Sequence, residues 1–238
     1  VSMALDTIDV IYETSGTATW ALTEALGEDG DALVTPPLND SENASFSAEF
    51  TGPGLVKFSW MISSEASFDA LRVEIDGVQN ASISGSRPWQ ETAVIIPAGQ
   101  HLVSWTYEKD GSESEGQDRA WVDALSFTVG DFSRPLGDAL DYPGLRWRAS
   151  GNDLGWSGQV FVTEDGEDAA QAGVIGDNAE SVLEVDLEGP GVFFFSYRVE
   201  SETDYDFLTF TIDGAEDFSE SGTVSWTRKS ILIPEGMH

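Results

Sequence analysis

Apolar and polar residues alternate with a period of two along most of this chain. Phe46, Ala48 and Phe50 are interleaved with Ser45, Ser47 and Glu49, and far downstream Leu183, Val185 and Leu187 with Glu184 and Asp186. Side chains of a strand switch faces at every residue, so each stretch predicts a strand with one apolar face for a core. Gly52-Pro53-Gly54 reads as a turn, after which Val56, Phe58, Trp60 and Ile62 form the next inward face. Leu71, Val73 and Ile75, with Arg72 and Glu74 outward, run into Asp76-Gly77, a tight hairpin because glycine accepts the positive φ such turns need. Further strands are expected at Thr92 to Ile96, Leu102 to Tyr107 and Trp121 to Val129. No segment carries an apolar stripe at helical spacing. Many short strands broken by Gly, Pro and Asp predict an all-β chain of antiparallel β-sandwich architecture, with a jelly roll as the topology.

The same pattern occurs twice. The stretch from Gly52 to His101 returns without a gap as Gly189 to His238, a constant offset of 137 (189 − 52, 238 − 101). Phe58/Phe195, Asp69/Asp206, Asp76-Gly77/Asp213-Gly214, Trp89/Trp226, Pro97/Pro234 and His101/His238 all keep step. Upstream, Trp20 precedes Asp29-Gly30 by the nine positions that separate Trp156 from Asp165-Gly166. The chain therefore reads as two tandem β-sandwich domains, 1–130 and 131–238. A short Gly- and Pro-containing connector, Val129 to Leu136, lies between them. The first copy continues past His101 through an acidic loop and two more strands, whereas the second stops at His238. Either the residues that follow supply the missing strands, or, as the strand-addition hypothesis expects, a neighbouring chain or module completes the second copy.

Charge narrows the setting. With 43 acidic against 11 basic residues the formal charge is −32, and Lys57, Lys109 and Lys229 are the only lysines. Such a field repels nucleic acid and anionic membranes, attracts divalent cations and keeps a surface soluble in salt. No apolar run is long enough to insert into a bilayer. A hydrophobic share of 40% with eight tryptophans argues for a packed fold rather than an acidic disordered chain. Absence of cysteine excludes disulfides, thiolate metal ligands and a thiol nucleophile. If the protein is exported, packing or bound ions must supply the stability disulfides often give.

The succession Gly-Pro-Gly, Phe-Ser-Trp, Ser-Ser-Glu, Phe-Asp-Ala-Leu, Ile-Asp-Gly, Ile-Pro-Ala-Gly-Gln-His and Trp-Val-Asp-Ala-Leu-Ser-Phe resembles repeats of large secreted or surface proteins of bacteria. Those repeats are similar to the jelly-roll group that includes MAM domains, concanavalin-A-like lectin modules and the adhesin domains of secreted proteases. The resemblance implies an extracellular or cell-surface setting, structural calcium, and a glycan or cell-surface ligand. It leaves open adhesion, sugar binding and spacing, since one fold hosts all three.

Three acidic constellations are candidates for calcium, which takes six to eight oxygens. Asp29 and Asp31 in Glu28-Asp29-Gly30-Asp31 match Asp165 and Asp168 in Glu164-Asp165-Gly166-Glu167-Asp168; a solvated acidic turn is the plainer account. Asp110 and Asp118 bound an acidic loop that is either a polar hairpin connection or a calcium loop without EF-hand spacing. Asp123 sits between apolar residues in the closing strand, where an inward carboxylate has to be paired, hydrogen-bonded or metal-bound. The lectin-like resemblance adds weight to a metal there.

Glu65 and Asp69, matched by Glu202 and Asp206, read as turn-stabilising or ion-binding acids rather than a glycosidase pair. His101 and His238, one per copy, read as structural. Matched tryptophans 20/156 and 89/226 suit core packing or loop anchoring. Trp147, taken as part of an early strand that sets it opposite Arg146 and Arg148, is the candidate surface for a glycan. No catalytic constellation emerges. The expectation is a non-catalytic, calcium-stabilised adhesin or surface-repeat module; the alternative is a carbohydrate-binding accessory module of a secreted hydrolase.

Overall fold

The computed structural model describes residues 5–6, 10–24, 26–27, 30–151, 155–176 and 178–238. The chain divides into two compact units, Val1–Ser133 and Arg134–His238. In unit 1 the strands are β1 Tyr12–Gly16, β2 Ala21–Thr23, β3 Ala32–Val34, β4 Asn43–Ser63, β5 Ala70–Ile75, β6 Val78–Ser84, β7 Ser86–Glu108 and β8 Arg119–Val129. All pairings are antiparallel, in the order β2-β3-β8-β4-β7-β5-β6, with β1 also on β4.

Two strands make this a sandwich. β4 and β7 pair with each other along their whole lengths, but their halves have different further neighbours. Phe46 in the first half of β4 lies opposite Trp105, and β1 flanks it; Gly54 to Ser63 in the second half lie beside β8. Phe58 is twelve residues beyond Phe46, about 40 Å along an extended strand at roughly 3.3 Å per residue. Yet the Phe58 ring meets Trp105 edge-on at 5.5 Å. Only a sheet folded over on itself allows that, so each long strand contributes one half to each layer. Fully buried Phe46, Phe58, Trp105, Tyr107, Leu71 and Val73 fill the space between the layers, with Trp20 edge-on to Phe46 at 5.1 Å.

The fold-over happens at the motif that the alternation presents as a turn. Gly52-Pro53-Gly54 does not end a strand; it lies inside β4, where a register shift opposes it to Ile96 and Gly99 of β7. Likewise Thr92 to Ile96 and Leu102 to Tyr107 belong to one strand, β7, rather than two. A Cβ on Gly52 would lie 1.9 Å from the Pro97 carbonyl oxygen, so only glycine lets the two bent strands approach this closely.

Unit 2 opens with one helical turn, α1 Leu136–Ala139, where the sequence shows no helical pattern; Pro135 supplies the carbonyl that Asp138 and Ala139 bond. Its strands are β9 Arg148–Gly151, β10 Ser157–Gln159, β11 Ala169–Gln171, β12 Ser181–Glu184, β13 Glu188–Glu200, β14 Phe207–Ile212, β15 Ala215–Ser221 and β16 Thr223–Met237. Registers repeat those of unit 1. Phe58 opposes Thr92 and Phe195 opposes Lys229; Ala70 opposes Ser84 and Phe207 opposes Ser221; bulges recur at Trp60/Ile62 and Tyr197/Val199. Gly189 repeats the crossing, its Cβ position being 1.6 Å from the Pro234 oxygen. Tyr197, Val199, Phe218, Ile231 and Ile233 form this unit's core, with Phe193, Phe195, Leu208 and Phe210 packed against it.

Of the four matched tryptophans only Trp20 is a core residue; Trp89, Trp156 and Trp226 are half-buried. Trp89 and Trp226 lie within β7 and β16 rather than in loops. Two indoles anchor backbone instead: Trp89 Nε1 donates to Leu26 O at 3.2 Å and Trp156 Nε1 to Ser181 O at 3.0 Å. Among the described residues no helix is long and apolar enough to cross a membrane.

Candidate cation-binding site

At one end of unit 1, β4 runs into the turn Ser64 to Asp69 that starts β5, and β7 runs into the loop Lys109 to Asp118 that starts β8. Since β4 pairs with β7 and β8, and β5 with β7, the turn and the loop meet. Lys109 continues the inward parity of Val103, Trp105 and Tyr107, which sends its side chain into the end of the core, where it has no exposure. Its ammonium lies 3.3 Å from Asp118 Oδ1, 3.4 Å from Asp69 Oδ2 and 3.7 Å from Asp40 Oδ1, and it donates to the Glu113 carbonyl. Burial alone would lower the Lys109 pKa, but Asp118 and Asp69 reverse this and hold it above the ordinary lysine value.

Asp69 ties the turn to the loop. It is fully buried, with Oδ1 accepting the Asp110 N–H at 3.0 Å and Oδ2 accepting the Glu65 N–H at 3.4 Å besides Lys109. Asp110 Oδ1 accepts the Ser112 N–H at 3.0 Å, and its carbonyl accepts the Ser41 N–H at 2.6 Å. The far end of the loop is pressed onto β4, Gln117 N–H reaching Ser63 Oγ at 3.1 Å. Gly116 has φ +73° with its Cβ position 2.6 Å from that oxygen, so no other residue fits without displacement. Beneath the cluster, burial and the charges of Asp69 and Asp118 push the Tyr107 phenol upward, so it stays protonated.

One oxygen from each of Glu65, Asp69 and Asp110 lies within 4.8 Å of the others. Glu65 Oε2 is buried and has no hydrogen-bond partner. Burial, then Asp110, Asp69 and Glu115, raises the Glu65 pKa above its ordinary value. A hard cation among these three carboxylates would both partner that oxygen and relieve the repulsion, and carboxylates with backbone or water oxygens are the donor set calcium takes. The residues present fit calcium.

Of the acids singled out from sequence, Glu65, Asp69 and Asp110 make up this trio, and Asp118 belongs to the Lys109 cage. Asp123 is buried in β8 at a bulge, its Oδ1 accepting the Ala124 N–H at 2.7 Å where Ala124 has φ +51°. Asp31 is half-buried just before β3, and Asp29 lies outside the described residues. Asp165 closes its own exposed turn by accepting the Glu167 N–H at 2.9 Å, and Asp168 lies 3.7 Å from Arg134 Nε. Trp147 is not in a strand, since β9 begins at Arg148, so alternation does not set its direction. Its Nε1 donates to Tyr142 O at 3.2 Å, and with Arg146, Pro135, Leu136 and Pro143 it lines an open hollow. Arg148 is engaged by both oxygens of Asp186 at 2.6 and 2.8 Å. Sequence reasoning missed the role of Lys109, although a charge at an inward strand position is itself a signal that partners wait there.

No protein-family model matches the chain, and no curated protein matches it. Among solved structures, similarity is found to the secreted serine protease VesC from Vibrio cholerae, with 19% identity over 53% of this chain and 26% of that one and a TM-score of 0.45. The K3 cleaved adhesin domain of Lys-gingipain from Porphyromonas gingivalis w83 has 10% identity over 50% and 91% of the two chains and a TM-score of 0.37. TmCBM61, solved with β-1,4-galactotriose, has 15% identity over 50% and 88% and a TM-score of 0.37. The chain thus spans about a quarter of the length of VesC. Adhesin domains are among the groups that the repeat motifs resemble. At these TM-scores the likeness carries no argument about residues or activity.

Proposed function

We propose that this chain is a non-catalytic adhesin or surface-repeat module of a larger exported bacterial protein, extracellular or on the cell surface, with unit 1 stabilised by calcium at Glu65, Asp69 and Asp110. The observation that carries this reading is the duplication of register: polar residues matched between the units serve the scaffold. His101 Nδ1 with Asp76 Oδ2 at 2.6 Å recurs as His238 with Asp213 at 2.8 Å, clamping the same hairpin in each copy. Copying a scaffold multiplies outer surface, as repeat modules do. The charge of −32 suits a saline, calcium-containing medium. Within the duplicated register, Gly191 to Glu200 pair with β16 as the matched Gly54 to Ser63 pair with β7.

The alternative, a carbohydrate-binding accessory module of a secreted hydrolase, is favoured by the half-buried Trp147 indole beside Arg146 at the open hollow. A glycan array separates the two: the adhesin reading expects no small saccharide ligand, and binding abolished by Trp147→Ala would overturn it. For calcium, melting at pH 7–8 and low salt is expected to rise with millimolar calcium and fall with chelator, and Glu65→Gln is expected to remove the response. Because the Glu65 pKa is raised, protons compete with the ion, and the calcium increment should shrink as pH falls. Melting that ignores chelator would exclude the ion.

A further inference from the structure

Both units push a large aromatic ring into solvent at the same place. Phe68 is 61% exposed and Tyr205 is 76% exposed, and they stand 137 positions apart, on the turns that lead from β4 to β5 and from β13 to β14. Neither ring is held out by a loose loop. The preceding residues, Ser67 and Asp204, have φ +71° and +68°, and each donates its N–H to a matched serine hydroxyl at 3.1 Å, Ser84 and Ser221 respectively. The same pinned turn thus presents a ring in two copies whose neighbouring side chains differ. Core packing explains neither ring, because neither is in a core.

The chemistry around the tips is negative. Tyr205 sits among Glu202, Asp204 and Asp206, all exposed. Phe68 lies on the turn from Ser64 to Asp69, which Asp69 ties to the acidic loop from Asp110 to Asp118 by accepting the Asp110 N–H at 3.0 Å. A ring face beside carboxylates is the setting in which a guanidinium or ammonium gains from both the π-system and the charge. The chain already makes one such contact, Lys229 Nζ standing 4.2 Å over the Phe218 ring. A sugar platform, by contrast, is a concave or flat surface with several rings and directed polar groups. These tips are single rings on pinned turns.

We infer that the Phe68 and Tyr205 tips are docking points for arginine or lysine side chains of a basic protein partner. This rests on the adhesin reading and gives it a partner class. The test uses the whole chain in calcium-free buffer at 0.15 M salt, titrated with a synthetic Arg-Gly repeat peptide and, separately, with cellotetraose, following amide shifts at 65–69 and 202–206. Saturable binding of two peptide equivalents is expected. Phe68→Ala with Tyr205→Ala should weaken it about tenfold without changing Tm, whereas Phe68→Trp with Tyr205→Trp should keep it. Equal affinity without the rings would reduce the attraction to net charge and overturn the inference. Cellotetraose shifting the same amides would overturn it in favour of sugar. If the ring-less chain still attaches to cells while the peptide fails to bind the parent, the tips are refuted and the adhesive role stands.

Discussion

Lys109 shows how a residue can do from inside the chain what a bound ion does from outside. Its ammonium gathers Asp118, Asp69 and Asp40 together with the Glu113 carbonyl, so the loop closes on a cation that is covalently attached. A buried carboxylate left without a counter-charge is costly, and removing one partner of a buried pair typically loses about 3–5 kcal/mol. Lys109→Met should therefore lower stability by about that order in denaturant titration and expose the 110–118 loop to proteolysis; an unchanged midpoint would contradict the cage. His101 makes a different demand. The Asp76 carboxylate accepts from it and raises its pKa, while His101 and the Leu102 N–H lower that of Asp76. A raised histidine stabilises the fold below its ordinary value near 6.5 and loses the effect as pH rises through the folded value. A lowered aspartate stabilises above its ordinary 3.8 and loses the effect as pH falls through its folded value. The melting difference between the parent and His101→Gln is thus expected to be largest between about pH 4 and 6.5 and to shrink on either side.

Elements were legible in proportion to how far alternation alone decides them. Phe46 to Phe50, Val56 to Ile62 and Leu71 to Ile75 are strands with the inward faces their pattern predicts. What alternation conceals is continuity. Even-numbered residues point inward on both sides of Gly52-Pro53-Gly54, and a local pattern cannot tell a turn between two strands from a bulge within one. The close approach that fixes the answer, Gly52 against Pro97, is a contact over 45 positions. The site was half legible for the same reason. Glu65, Asp69 and Asp110 each stood out by sequence, but in separate stretches, and they meet only because β5 lies beside β7. Gly52→Ala tests the crossing. Its methyl has nowhere to go at 1.9 Å from a carbonyl oxygen, so a loss of about 1–3 kcal/mol, typical of overpacking, is expected in equilibrium unfolding, against little change for Gly144→Ala, where nothing lies within 4 Å and no positive φ is required.

At the scale of the whole molecule, 43 acids against 11 bases make self-repulsion a standing cost of the compact state. Screening relieves it, and Tm is expected to climb between 10 mM and 500 mM sodium chloride in chelator, over the range where the Debye length falls from about 30 Å to a few ångströms. A flat profile would mean that local pairs such as Arg72 with Glu108 at 2.7 Å already absorb the charge. The duplicated registers matter at this scale too. Units that share bulges as well as strand partners were specified by one set of packing rules, even though their inward positions are filled by different side chains, such as Val56 and Phe193, Val73 and Phe210, and Trp60 and Tyr197.

β4 and β7 also have a mechanical meaning. They run antiparallel over their full lengths and are woven through both layers, so tension that slides one past the other loads many backbone hydrogen bonds simultaneously instead of unzipping them in turn. A module that tethers a cell against flow would be built on such a pair, holding under shear and yielding abruptly once the pair slips.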